Sequence, residues 1–428
     1  MSFLKRLVSL LPAFALIAAT LFCVAGKLSA QPDIMLGVDV LDQRGFDILN
    51  GKRVGLLTNQ AGVNRNGVST IDVMRRSPHV KLVALFCPEH GLYGDAKANE
   101  NVGNQTDRRT GLPVYSLFGS TRRPTPQMLS RIDVLVIDLQ DVGTRSYTYI
   151  SAMRYAMEEC FRYGKEVVVL DRPNPLGGLK VDGPMIDDTI MSYVGAYRVP
   201  YVYGLTIGEL ALMAKASPGW LQITEQQRAA GKLTVVPMTG WRRDMRWSDT
   251  GLQWRETSPY VQDINAAFGY PMTGLGCQLG GFSHGMGSNF PFRVLEYGGR
   301  TPEQVCAALE AEHIPGLSFR VISVNYHGKQ NKGVYVDITD WSALRPTEIS
   351  FHLMRLAARW ARESGKPNPF ASATADQKEL FCKHVGDLTF WTALVRNGGN
   401  VDLPAFLESW AQADRAFQIR SKKFWIYR

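Results

Sequence analysis

The stretch FCPEHGLYGD, from Phe86 to Asp95, sets a carboxylate and an imidazole, Glu89 and His90, directly after the apolar run VKLVALF. Pro88 and Gly91 bracket the pair and hold the loop in shape. A carboxylic acid at the mouth of a buried strand suits proton transfer. Cleavage of a glycosidic bond needs such an acid, which keeps its proton near neutral pH and delivers it to the leaving oxygen. His90 then orients the acid or donates to a substrate oxygen. The plainer alternatives are a helix cap for Glu89 and a satisfied loop histidine for His90.

Three further polar clusters follow apolar runs. TNQAG carries Asn59 and Gln60, DLQDVGTRSY carries Asp138, Gln140, Arg145 and Tyr147, and DRPNPLGG carries Asp171, Arg172 and Asn174. Tyr201 lies further on. Carboxylates and amides bracket hydroxyl groups, aromatic rings stack on sugar faces, and an arginine forks onto a carboxylate. This inventory reads as the binding set of a polar, sugar-like ligand. Arg145 either grips a carboxylate on the sugar or braces Asp141. Asp171 and Arg172 either meet the ligand or fix their loop as a buried ion pair. The second catalytic group stays open among Asp95, Asp138, Asp141 and Asp171. Attack by a substrate acetamido group is the alternative.

These clusters need a scaffold that brings them together. KRVGLLTNQ, VKLVALFCPEH, IDVLVIDLQDVG and KEVVVLDRPNP read as strands, and TIDVMRRS and YTYISAMRYAMEECFRYG as helices. Continuous Val/Leu/Ile runs alternating with helices predict an α/β fold: a Rossmann-like, mostly parallel sheet with helices on both faces. In such sheets ligands bind outside the carboxyl ends of the strands, which is where all four clusters fall. From about Trp241 the chain becomes aromatic, charged and irregular, and a Gly-rich segment, TGLGCQLGGFSHGMGSNFPF, follows. A helix from Pro302, strands in LSFRVISVNYHG and KGVYVDITD, and helices near 349–363 and 403–416 predict a smaller C-terminal α+β domain. The expected division is a leader over 1–30, the Rossmann-like domain over 31–245 and the second domain over 246–428, with a cleft between the domains.

Composition narrows the function. The chain has 428 residues, 45% of them hydrophobic, enough apolar mass for a full core. Lys5 and Arg6 precede the uncharged run Leu7–Gly26, and Leu28-Ser29-Ala30 offers a cleavage site, so a signal peptide removed after Ala30, a periplasmic or secreted location and no stable membrane span after processing are expected, with an uncleaved membrane anchor as the alternative. Removal takes Lys5, Arg6 and Lys27 from the formal charge of +9. No dense basic block with interleaved aromatics is present, so no nucleic-acid partner is expected. The remaining cysteines, Cys87, Cys160, Cys277, Cys306 and Cys382, show no metal-type spacing and read as buried free thiols. No GxGxxG follows the first strand, and neither a P-loop nor a GxSxG elbow occurs, so hydride transfer, phosphoryl transfer and serine hydrolysis lose ground. No cofactor and no metal is expected.

Taken together, LLTNQAGV, FCPEHGLYGD, TGLPVYSLFG, IDLQDVGTRSYTYI, LDRPNPLGG and YGLTIGELA resemble the exo-β-N-acetylmuramidase family called NamZ, over nearly the whole mature chain. The resemblance implies two domains with a cleft between them. It also implies removal of N-acetylmuramic acid from the non-reducing end of peptidoglycan fragments, with Glu89 as the catalytic acid. The chain departs from the family pattern in the Gly-rich loop, where Gln278, His284 and Met286 stand in place of charged residues, and at Tyr203, where a His is usual. Those departures keep two alternatives in view, a non-catalytic binder of cell-wall sugars and a hydrolase for a different amino sugar.

Overall fold

The computed structural model describes residues 33–97, 100 and 103–428. The expected leader lies outside the described residues. Strands β1 (Arg53–Thr58), β2 (Lys81–Cys87), β3 (Gln105–Thr106), β4 (Pro113–Ser116), β5 (Val134–Asp138), β6 (Glu166–Leu170) and β7 (Leu233–Val236) form one sheet in the order β3-β4-β2-β1-β5-β6-β7. All pairs are parallel except β3 with β4. The four strands expected from the apolar runs are its centre. The short outer strands β3, β4 and β7 carry no such run and were not expected.

Register explains the position of the site. Leu57 of β1 pairs with Phe86 of β2 and with Ile137 of β5, and Thr58 pairs with Asp138. The three strands therefore end level, and their exit loops lie side by side. The strands are anchored on both faces: Leu57, Phe86 and Ile137 enter one apolar cluster, and Leu56, Leu85 and Val136 the other. Each such side chain contributes about 1.5–3 kcal/mol on burial, so sliding one strand by a residue would be costly.

The second domain holds an antiparallel sheet, β8 (Phe282–Ser283), β9 (Val294–Tyr297), β10 (Leu317–Tyr326) and β11 (Lys329–Ile338), in the order β10-β11-β9-β8. The expected helices form over Pro302–Glu310, Glu348–Glu363 and Leu403–Ser421, and two more, Ala375–Val385 and Leu388–Asn397, fill the interval. The five cysteines among the described residues are free thiols.

The last residues return to the first domain. Tyr427 donates its hydroxyl to Asp171 Oδ2 at 2.6 Å and accepts from the Met238 amide at 2.9 Å. The Ile426 amide reaches Glu209 Oε1 at 2.9 Å, and the Arg428 carbonyl accepts from the Arg243 amide at 3.0 Å. The tail thus closes the first sheet's helical layer, although a division at residue 245 assigns it to the second domain.

Candidate active site

The PEHG loop is a tight turn at the end of β2. The Gly91 amide bonds the Pro88 carbonyl at 3.1 Å, and His90 and Gly91 both adopt left-handed backbone, φ 71° and 80°. A non-glycine residue there is uncommon, and His90 is held by two contacts. Its Nδ1 lies 2.9 Å from the Ala96 carbonyl, and its own carbonyl accepts from the Ala96 amide at 3.3 Å. The turn delivers Glu89 to the N-terminus of the Tyr149–Arg162 helix, where Thr148 donates its hydroxyl to Glu89 Oε2 at 2.7 Å. Glu89 and His90 are both buried, at 8% and 7% exposure, and both line one cleft.

That cleft has a volume of about 440 Å³ and draws its walls from both domains. The first domain supplies Phe118, Arg122, Ser146, Tyr147, Tyr193 and Tyr201. The second supplies Tyr260, Tyr270, Gln278, His284, Met286 and Phe292, with Leu380 and His384 at the far rim. Hydroxyl groups tie the walls together. Ser146 Oγ lies 2.7 Å from the Tyr201 hydroxyl and 3.2 Å from that of Tyr270, and Tyr147 donates to Thr257 Oγ1 at 2.7 Å. The rings of Tyr147 and Tyr270 meet edge to face at 5.6 Å. Burial raises the pKa of Tyr193 and Tyr270, and the Glu89 charge adds to both shifts. These phenols therefore stay protonated around the carboxylate. His284 stacks on Phe292 at 4.7 Å, and burial pulls its pKa down to about 4, so it is neutral in neutral solution.

Of the residues expected at the site, Glu89, His90, Tyr147 and Tyr201 meet in this cleft. The others do not. Arg145 is fully buried, and its guanidinium donates to four backbone carbonyls: Pro184 at 2.6 Å, Val199 at 2.9 Å, His384 at 3.1 Å and Val385 at 2.8 Å. Two of those acceptors end the Ala375–Val385 helix, whose last carbonyls have no partner within the helix. Arg145 thus caps a helix of the second domain from the first. It neither faces a ligand carboxylate nor braces Asp141, whose partners are the Tyr203 hydroxyl and the Gly143 amide.

Asp138 and Arg172 form a buried bidentate ion pair, Nε to Oδ1 at 2.6 Å and Nη2 to Oδ2 at 2.8 Å. Asp171 accepts from Thr206 Oγ1 at 2.7 Å, the Gly208 amide at 2.8 Å and Tyr427, so it is a structural hub rather than a ligand contact. Asn174 spans its own loop, accepting from the Leu176 amide and donating to the Leu205 carbonyl, both at 3.0 Å. Asn59 accepts from the Ala61 amide at 3.1 Å. Gln60 sits under Gly94, where a β-carbon would collide with its amide. Gln140 and Arg172 instead face a separate hollow of about 130 Å³ beside Arg65 and Arg255. The asparagine, glutamine and aspartate side chains that looked like hydroxyl binders mostly hold up the strand-end loops.

Sequence reasoning missed Arg122, Ser146, Thr148, Tyr193 and Tyr270 as cleft residues. Ser146 and Thr148 flank an expected site residue, Tyr147, so strand-end position was a usable signal for them. Gln278, His284 and Met286, the three departures in the Gly-rich loop, all line the cleft.

A doubly wound domain with a polar, aromatic-walled cleft at the carboxyl ends of its strands, closed by a second domain, is an architecture for processing a small polar ligand. The N-terminal model of the exo-β-N-acetylmuramidase NamZ family matches residues 54–265, and the C-terminal model matches 268–427. The chain belongs to that family and is a glycoside hydrolase. It is 40% identical over 315 residues to the peptidoglycan β-N-acetylmuramidase NamZ of Bacillus subtilis (strain 168), which covers 72% of this chain and 74% of that protein. Two solved structures of DUF1343 family proteins from Bacteroides fragilis NCTC 9343 share the fold. One has a TM-score of 0.82 at 38% identity and the other 0.64 at 25%, each covering 92% of this chain and 99% of the other.

Proposed function

We propose that the protein is exported and removes N-acetylmuramic acid from the non-reducing end of peptidoglycan fragments, with Glu89 as the general acid. The observation that carries this reading is the position of Glu89: among the described residues that line the two-domain cleft, it is the only carboxylate. Its carboxyl is oriented by Thr148, and the surrounding tyrosines offer ring faces and hydroxyls to a sugar. The same observation favours attack by the substrate's own acetamido oxygen over a displacement that pairs two carboxylates. In that step the acetamido oxygen bonds to the anomeric carbon as the glycosidic bond breaks. The Glu89 proton goes to the departing oxygen. Water then opens the cyclic intermediate, returning its proton to Glu89. Export is supported by the basic start and the uncharged run before Ala30. Mass spectrometry of the native protein tests it, and an intact Met1 terminus would overturn cleavage.

Glu89→Gln tests the acid. The amide keeps the shape and accepts from Thr148, but it has no proton to deliver. Turnover of a disaccharide with a sugar leaving group should fall about 10²–10⁴-fold, the scale of general acid catalysis. An aryl muramide with a good leaving group should lose much less, and the melting temperature should hold. Equal losses on both substrates, with a lowered melting temperature, would make Glu89 a structural cap instead.

A further inference from the structure

Two consecutive arginines at the cleft rim have different fates. Arg123 is committed: its Nη1 pairs with Glu158 at 2.6 Å and Glu159 at 3.1 Å. Arg122 has no carboxylate partner and no hydrogen-bond acceptor among the described residues. Its guanidinium carbon rests 4.7 Å from the Phe118 ring centroid and 4.4 Å from that of Tyr193, rings that are themselves 5.7 Å apart. Cation–π contact with both rings fixes the guanidinium while leaving its N–H edge open. All three residues line the cleft that holds Glu89, and Tyr193 feels the charges of both Arg122 and Glu89. Among the described lining residues Arg122 is the only Arg or Lys. Two of the lining histidines, His284 and His384, have their pKa values lowered by burial. Among the described lining residues the cleft therefore presents one permanent cation, already oriented, which forms no ion pair with a carboxylate.

We propose that Arg122 is the specificity-determining residue that forks onto a carboxylate of the substrate, the lactyl acid of the muramic sugar. This rests on the reading of the cleft as a muramidase site. A planar guanidinium held on two rings matches a carboxylate in a bidentate pair and loses little freedom on binding. An amino sugar without the acid leaves that guanidinium unpaired, so the residue discriminates between sugars that share the acetamido group. Arg145, the other candidate for this task, is occupied by four carbonyls.

The test compares two aryl β-N-acetylmuramides, one with the free lactyl acid and one with its neutral lactamide, on the wild type, Arg122→Lys and Arg122→Gln. Arg122→Gln should lower kcat/KM on the acid about 10–100-fold, mostly through KM, the scale of losing a charge-assisted pair. On the lactamide it should lose far less. Arg122→Lys keeps the charge but not the fork, and should fall between wild type and Arg122→Gln on the acid. Arg122 is exposed, so both variants should melt near the wild type. Equal losses on the two substrates, or no loss on either, would overturn the proposal while leaving the muramidase reading intact. A wild type that turns over neither muramide but cleaves an aryl N-acetylglucosaminide would overturn that reading, and the proposal with it.

Discussion

Arg145→Met removes a cation and keeps an unbranched chain of similar length. Four carbonyls lose their donor, and the Pro184, Val199 and Val385 bonds lie wholly in the interior. Charge-assisted bonds of this kind contribute about 1.5–3 kcal/mol each, and an unpaired buried acceptor costs about 1–3 kcal/mol. Against that, the variant no longer buries a guanidinium, whose pKa burial has already pulled down to about 10. The balance is a loss of about 4–6 kcal/mol, above the usual range for single substitutions, or roughly 10 °C in melting temperature. The damage should also reach catalysis without choosing between substrates. The carbonyl acceptors adjoin Tyr201 and His384, which line the cleft, so the two walls lose their relative position. Scanning calorimetry, with kcat/KM on the lactyl acid and the lactamide, reads both effects. Arg145→Lys should recover part of the stability, since an ammonium reaches some of the carbonyls but not all four. An unchanged melting temperature, with activity lost on the lactyl acid alone, would refute this reasoning and return Arg145 to the ligand.

Two other outcomes are expected. Asp414, buried on the Leu403–Ser421 helix, has its pKa pushed up to about 8, first by burial and then by the Asp182 charge. Its contribution to stability is complete below about pH 4, its unfolded range, and is lost as pH rises toward 8. Relative to the wild type, Asp414→Asn should therefore gain a few kcal/mol, on the order of 4, between pH 5 and pH 9. Melting curves at both pH values check this, and a gap that does not widen with pH would refute it. If the acetamido oxygen is the nucleophile, fluorinating the acetyl group should slow aryl muramide hydrolysis steeply with each fluorine. A flat series would restore an enzyme nucleophile.

The sheet was legible because β1, β2, β5 and β6 are buried on both faces, and such strands appear in sequence as unbroken aliphatic runs. β4 and β7 lie nearer the sheet's edges, with mixed exposure and only four residues each, so no periodicity marked them. The place of Glu89 in the cleft was legible because a strand end and a rigid turn are both local features. Arg145 and Arg122 were not distinguishable on local grounds. Arg145 sits in a conspicuous strand-end motif, yet its acceptors at 384 and 385 come from the far end of the chain. Arg122, in an unremarkable TRRP turn, reaches Tyr193 more than seventy residues later. Which arginine faces a carbonyl and which faces the solvent of a cleft is decided by tertiary packing, and no spacing rule encodes it.

The return of the tail to the first sheet sets an order of assembly. Tyr427 lies 256 residues beyond the Asp171 carboxylate it bonds. At roughly 5–20 residues per second, a ribosome takes about 13–50 s to cover that distance. Throughout that interval Asp171 and Glu209 lack their last partners, and the Trp241 ring waits for the aromatic edge that comes to lie 5.0 Å away. The first domain to be synthesised is thus the last to be finished, and a fragment cut between the domains would carry that open seam permanently.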